Sequence, residues 1–120
     1  MSWPTELTKH LIGPLALSFE TGEQSATKIY FNHQVRVRKV RSIVVKALAA
    51  TDNGTITVAT AAGTVCTLTH AASAALNSEQ SADGAEATNR IPANGWLMFT
   101  TAKTTVGGKI LVTAEVETEI

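Results

Sequence analysis

Aromatic side chains supply only 5% of this chain. That is too few for a broad sugar-stacking or base-stacking surface, which needs several exposed rings. There is one cysteine, Cys66, so no intramolecular disulfide can form. Its neighbours Val65 and Leu68 mark it as a small buried hydrophobe and not a reactive thiol. Charge is also scarce: 17% of residues are charged, and ten Lys and Arg balance ten Asp and Glu. The balance argues against a generic nucleic-acid binder, which carries a basic excess. Sparse, cancelling charge predicts a surface partly covered by other subunits. No apolar run is long enough to span a bilayer, so no membrane partner is expected. The first twenty residues lack a basic start leading into an apolar stretch, so no secretory signal is expected, and synthesis in the cytoplasm fits.

Alanine and threonine fill the space left, at 18 residues each. Threonine suits the half-buried face of a strand, and alanine keeps facing layers close together. At 120 residues the chain has the length of one domain with one core.

Residues 1–14 read differently from the rest. Pro4 suits a first helical turn, Leu7 and Leu11 share a helical face, and Gly13-Pro14 would stop a helix. The segment is either a one- or two-turn helix or an extended arm, with Trp3, Leu7, Leu11 and Ile12 as apolar handles. From Leu15 the apolar period becomes two and the rest reads as one β domain over 15–120. Strands are expected over Leu15 to Phe19, Thr27 to Phe31, Val35 to Leu48, Thr55 to Thr60 and Thr64 to His70. Within the longest run the apolar positions change parity after Lys39, which predicts a bulge near Arg38-Lys39 or burial on both faces. Asp52-Asn53-Gly54 is a tight-turn signal, and Ala61-Ala62-Gly63 is a second turn. Residues 71–90 read as a long polar functional or interface loop, with a short helical piece near Ala71 to Asn77. After Asn94-Gly95, the run Trp96 to Thr100 and the alternating run Lys109 to Thr118 flank Gly107-Gly108 and are expected to form a hairpin. Trp96, inside a β run, is expected in the core. Seven or eight strands at short spacing predict an all-β fold: an antiparallel β-sandwich, jelly-roll-like, with a short N-terminal arm.

Reactive groups are not gathered. His10, His33 and His70 are far apart, without ligands at metal-site spacing, so no metal is expected. No nucleophile elbow, phosphate loop or dinucleotide fingerprint occurs. Asn53-Gly54-Thr55 matches a glycosylation pattern but reads as turn chemistry. Glu115, Glu117 and Glu119 alternate on one strand face, which is a solvated or pairing face and not two carboxylates across a cleft. Arg36, Arg38, Lys39, Arg41 and Lys46 hold half of the positive charge. This row is either a solvated face or the match of an acidic row, on an adjacent strand, a second copy or another protein. A contact protein with no catalytic role, cofactor or nucleic-acid partner is the expectation.

The order Asp52 to Val58, Thr67 to Thr69, Ala93 to Trp96 and Gly107 to Thr118 resembles the small β-sandwich proteins of tailed bacteriophages that decorate or cement the head. The resemblance covers roughly residues 45–118 and departs at Trp96, where those proteins often carry an acidic residue. It implies a virion protein on the outer capsid surface that binds major capsid protein subunits. It further implies a homo-oligomer, with a trimer favoured over a dimer. Contacts are expected from the arm (Trp3, Leu7, Leu11), the basic strand (Arg36, Arg38, Arg41) and the loop bounded by Asn77 and Asn89. The alternative is a carbohydrate-recognition module of a tail fibre or host adhesin, for which Trp3 and Trp96 are the aromatic candidates.

Overall fold

The computed structural model describes residues 9–20 and 26–118. Nine strands run in the order β1 (Lys9–Ser18), β2 (Ala26–Tyr30), β3 (Val35–Lys46), β4 (Gly54–Thr60), β5 (Gly63–His70), β6 (Glu79–Asp83), β7 (Arg90–Ile91), β8 (Trp96–Ala102) and β9 (Lys109–Thr118). One antiparallel sheet has the order β1-β9-β3-β6, with β7 also on β3; the other has the order β2-β8-β4-β5. First and last strands are neighbours in one sheet and the second and eighth in the other, which is the jelly-roll arrangement. The expected all-β sandwich is therefore the fold.

The strand count exceeds seven or eight because one strand position is broken. β6 and β7 both pair with β3, with Lys39 opposite Asp83 and Arg36 opposite Arg90. Residues 84–89 leave the sheet between them and cross to the other layer. The Ala85 amide donates to the Val65 carbonyl at 2.9 Å, and the Thr88 hydroxyl donates to the Thr64 carbonyl at 2.7 Å. Thr60 Oγ1 in turn donates to the Thr88 carbonyl at 2.7 Å. The polar segment 71–90 is thus a structural strap closing one side of the sandwich, and its residues 71–77 form turns and not a helix. Its polarity satisfies backbone groups of two sheets.

Two other expectations are corrected. β8 and β9 are not a hairpin: β8 pairs with β2 and β4, while β9 pairs with β1 and β3. The inward positions are apolar throughout β9 (Ile110, Val112, Ala114 and Val116) and, apart from Thr101, in β8 (Leu97 and Phe99), so the two strands face each other across the core instead of lying side by side. Gly107 and Gly108, at φ of 139° and 120°, make the crossing in a conformation that other residues rarely adopt. Likewise Asp52-Asn53-Gly54 ends a crossover from β3 in one sheet to β4 in the other. The Asp52 carboxylate accepts from the Lys103 ammonium at 2.9 Å and from the Thr104 and Thr105 amides at 2.6 and 3.0 Å. Those bonds, the lysine's above all, hold its pKa down to about 2.

The parity change in β3 is a bulge. Val37 is opposite Val116 and Lys39 is opposite Glu115, which leaves Arg38 as the extra residue. Val35 and Val37 point inward before it, and Val40, Ser42 and Val44 after it. Residues 9–14, expected in the arm, instead form the first half of β1. Lys9 is in register with Glu117, Leu11 with Glu115 and Ile12 with Ala114, and the register shifts before Leu15, around Gly13-Pro14. An exposed edge strand accepts this proline where a helix would have ended.

One polar pair lies inside the sandwich. The Ser42 hydroxyl on β3 and the His70 imidazole Nε2 on β5 meet at 2.6 Å, both almost wholly buried. Burial lowers the His70 pKa below its usual 6.5. The unfolded chain therefore takes up a proton first as the pH falls. His70's contribution is complete above pH 6.5 and shrinks below it, by up to about 1.4 kcal/mol per pH unit, until the folded imidazole also protonates. Urea midpoints between pH 7.5 and 5 will fall for the parent chain and stay flatter for His70→Gln; equal slopes contradict this assignment.

Candidate functional site

Among the described residues, polar and apolar side chains come together on the outer face of the five-stranded sheet. Inward residues of β3 and β9 are apolar, so the opposite parity is what the sheet shows to solvent. Three rows cross the sheet. Leu11, Glu115, Lys39 and Asp83 form the first; Thr113, Arg41 and Ser81 the second; Ala16, Leu111, Ile43 and Glu79 the third. A depression of about 430 Å³ is lined by Leu11, Leu111 and Ile43 on its apolar side and by Lys39, Arg41, Glu79 and Glu115 on its charged side. Leu11 is 72% exposed, unusual for a leucine in a paired strand.

The basic row meets the acidic row within the chain. Arg36 is in register with Glu117, and the bulge brings Arg38 Nε to 3.5 Å from Glu117 Oε2. Lys39 Nζ is 3.9 Å from Asp83 Oδ1. Such partly exposed pairs contribute roughly 0–1 kcal/mol each and fix register more than stability. Arg41, Glu79 and Glu115 enter no ion pair among the described residues, so their charges face outward unspent.

Of the residues singled out from sequence, Leu11, Arg38 and Arg41 share this face, with Arg36 beside them on the same strand. Asn77 is exposed at the turn entering β6, at φ of 71°, and its amide donates to the Val44 carbonyl at 2.8 Å. Asn89 is corrected: it is 2% exposed and cannot meet a partner. Its Nδ2 donates to the Val37 carbonyl at 2.9 Å, and its own carbonyl accepts from the Val37 amide at 2.8 Å. It substitutes for a ladder partner where the strand is broken. Trp3 and Leu7 lie outside the described residues, as does Glu119.

Lys39, Ile43, Glu79, Leu111 and Glu115 complete the face. Leu111 was detectable: it sits on the polar parity of Thr113, Glu115 and Glu117, an apolar residue where solvent is expected. Ile43 was hidden, because the bulge reverses the parity by which it would be judged.

Trp96 is not in the core. It is half-buried on the outer face of the four-stranded sheet, opposite Tyr30 in register, with Lys28 Nζ 4.5 Å above its ring. Cys66 is half-buried against the core, and burial pushes its thiol up to about 11, so it is protonated and unreactive at neutral pH. No three His, Cys, Asp or Glu side chains among the described residues are grouped to hold a metal ion. No helix there is long and apolar enough to cross a membrane.

No family model matches the chain. No curated protein matches it by sequence. Among solved structures it is similar to a carbohydrate-binding module, CBM36, in complex with calcium and xylotriose (10% identity, 96% of each chain covered, TM-score 0.43). It is also similar to a carbohydrate-binding module from Clostridium stercorarium in complex with cellobiose (14% identity, 95% of this chain and 90% of that one, TM-score 0.41). A chain of the cyanophage Pam1 capsid asymmetric unit is a third (14% identity, 93% of this chain and 81% of that one, TM-score 0.48). At these identities the likeness is one of fold.

Proposed function

We propose that this chain is a structural protein of a phage virion that decorates the capsid by binding major capsid protein subunits on their outer surface. The observation that carries the reading is the outer face of the five-stranded sheet. An apolar patch of Leu11, Leu111 and Ile43 is bordered by Arg41, Glu79 and Glu115, which enter no ion pair among the described residues. Apolar centres with a charged rim, arginine included, are the usual makeup of a protein-binding surface. The sequence resemblance to head decoration proteins names the partner. A homo-oligomer, trimeric by that resemblance, would repeat a modest contact several times and gain avidity from the repetition. The function is binding, with no reaction catalysed.

The test is co-sedimentation with empty heads lacking the protein. Arg41→Glu combined with Leu11→Asp is expected to weaken occupancy at least about tenfold while the fold persists, because both side chains are exposed. Unchanged occupancy rejects this face. A separate deletion of residues 2–8 examines the arm with Trp3 and Leu7; it stops short of Lys9, which is paired with Glu117.

A further inference from the structure

A sheet edge that is long, uncharged and uncovered is a template for another strand, and proteins guard such edges with charge, short length or a covering segment. Three of the four edges here are guarded. β6 and β7 are five and two residues long, and Glu79 and Asp83 stand at the ends of β6. β2 has five residues with an exposed Lys28 at its centre. β5 is covered by the strap, which bonds to the Thr64 and Val65 carbonyls. β1 is the exception: it runs for ten residues and stands at the end of its sheet. From His10 to Phe19 it holds no Asp, Glu, Lys or Arg, and Leu11, Gly13, Pro14 and Ala16 are exposed along it.

The ladder fixes which backbone groups β1 turns outward. The Phe19 amide donates to the Gly108 carbonyl and the Phe19 carbonyl accepts from the Gly107 amide, both at 2.9 Å, so Phe19 faces β9. Facing residues alternate in an antiparallel ladder, so Leu17 and Leu15 also face β9, while Ser18 and Ala16 face away. The Ser18 carbonyl agrees, since it accepts from the Thr101 hydroxyl of the other sheet at 3.1 Å. β9 keeps its alternation past the bulge in β1, so Val112, Ala114 and Val116 face β1, with Leu15, Ile12 and His10 as their partners. Leu11 and Lys9 therefore present their amides and carbonyls to the open side.

A second β1, run antiparallel, matches this pattern. With Leu11 opposite Ala16 of the partner subunit, Lys9 falls opposite Ser18 of the partner subunit, and each pair recurs across the two-fold axis. All four positions turn their backbone groups to the edge, so these are bonded pairs. Ile12 then falls opposite Leu15 of the partner subunit, with both side chains on the core side of the sheet. β9 takes up the extra residue at Gly13-Pro14 with a register shift. A second β1 carries the same extra residue at the same place, so the pairing passes through without one. Pro14, which has no N–H to give, lies on the axis and away from the bonded pairs. We infer that two copies of this chain join edge to edge through β1 into one continuous sheet of order β6-β3-β9-β1-β1-β9-β3-β6. Such self-matching contact closes at two copies, where the resemblance to head decoration proteins implies three. The outer faces of the two copies then lie side by side, with Leu11 still turned outward. The dimer does not depend on capsid binding.

Sedimentation equilibrium of the full chain, from about 10 µM to about 1 mM, is expected to give a dimer mass. Ala16→Pro removes an amide that β9 does not use, and Ala16→Lys sets a charge on the edge. Each is expected to weaken dimerisation at least about tenfold, with an unchanged circular dichroism spectrum. Arg41→Glu, on β3 and two strands in from the edge, is expected to dimerise as the parent does while weakening head binding, so the two assignments fail separately. The register is read by oxidation in a Cys66→Ala background. A Leu11→Cys chain mixed with an Ala16→Cys chain is expected to cross-link, because facing Cα atoms of a bonded pair lie about 5.5 Å apart. A monomer at about 1 mM, a trimer, or a dimer that persists in both Ala16 variants overturns the inference. So does failure of the mixed cysteine chains to cross-link.

Discussion

Replacing Phe99 with alanine is expected to remove about 3–5 kcal/mol of stability, from a total of about 5–15 kcal/mol for a domain of this kind. Phe99 is the bulkiest of the wholly buried side chains and projects inward from β8. Its register neighbours are Thr27 on β2 and Val58 on β4, so it sits in the middle of its sheet and not at an edge. The aromatic poverty of the sequence raises the cost. Most of the core is valine, leucine and isoleucine on paired strands, with little freedom to move into a hole. Urea denaturation followed by circular dichroism gives the number, and Phe99→Leu, which keeps most of the volume, should cost under about 1.5 kcal/mol. A loss below about 1 kcal/mol for alanine would mean that the sheets do not pack across this ring.

Gly84→Ala is expected to cost about 3 kcal/mol or more, although the change adds a single methyl group to a chain segment near the surface. That methyl would collide with the Val37 carbonyl oxygen and stand 3.2 Å from Asn89 Cβ. The oxygen cannot retreat cheaply because it accepts from Asn89 Nδ2. Pushing it away also disturbs the bond from the Gly84 amide to the Arg38 carbonyl, at 3.0 Å. The substitution therefore works against the strap, the bulge and the β3 backbone together. Asn89→Ala loosens the same clamp from the other side and should cost about 1–3 kcal/mol, by leaving the Val37 carbonyl short of a partner. The two losses should fall short of additive in the double variant, since each breaks part of one unit. Amide exchange of Val37 and Ala85 should speed up in both. Additive losses with protected amides would show the strap to be mere decoration on a self-sufficient sheet.

The sequence by itself determined the class of fold, most strand positions and the bulge. Those depend on neighbours along the chain: alternation of Val and Ile with Thr or charge sets a strand and its buried face, and one misplaced parity at Arg38-Lys39 reveals an inserted residue. It also held the apolar and basic residues of the candidate face, since Leu11, Arg38 and Arg41 are conspicuous as residue types. Only the tertiary structure decided which strands lie side by side. Gly107-Gly108 and Asp52-Asn53-Gly54 look like hairpin turns, yet both connect opposite sheets, because a strand with an apolar inner set is equally satisfied beside its neighbour or across the core from it. The polarity of residues 71–90 likewise has two solutions, solvent or backbone. Asn89 and Thr88 take the second because a broken strand position leaves the amide and carbonyl of Val37 on β3 and the carbonyl of Thr64 on β5 to be paired. Trp96 and Leu111 fall outward for the same reason: alternation gives two faces, and contact with the opposing sheet chooses the one that is buried.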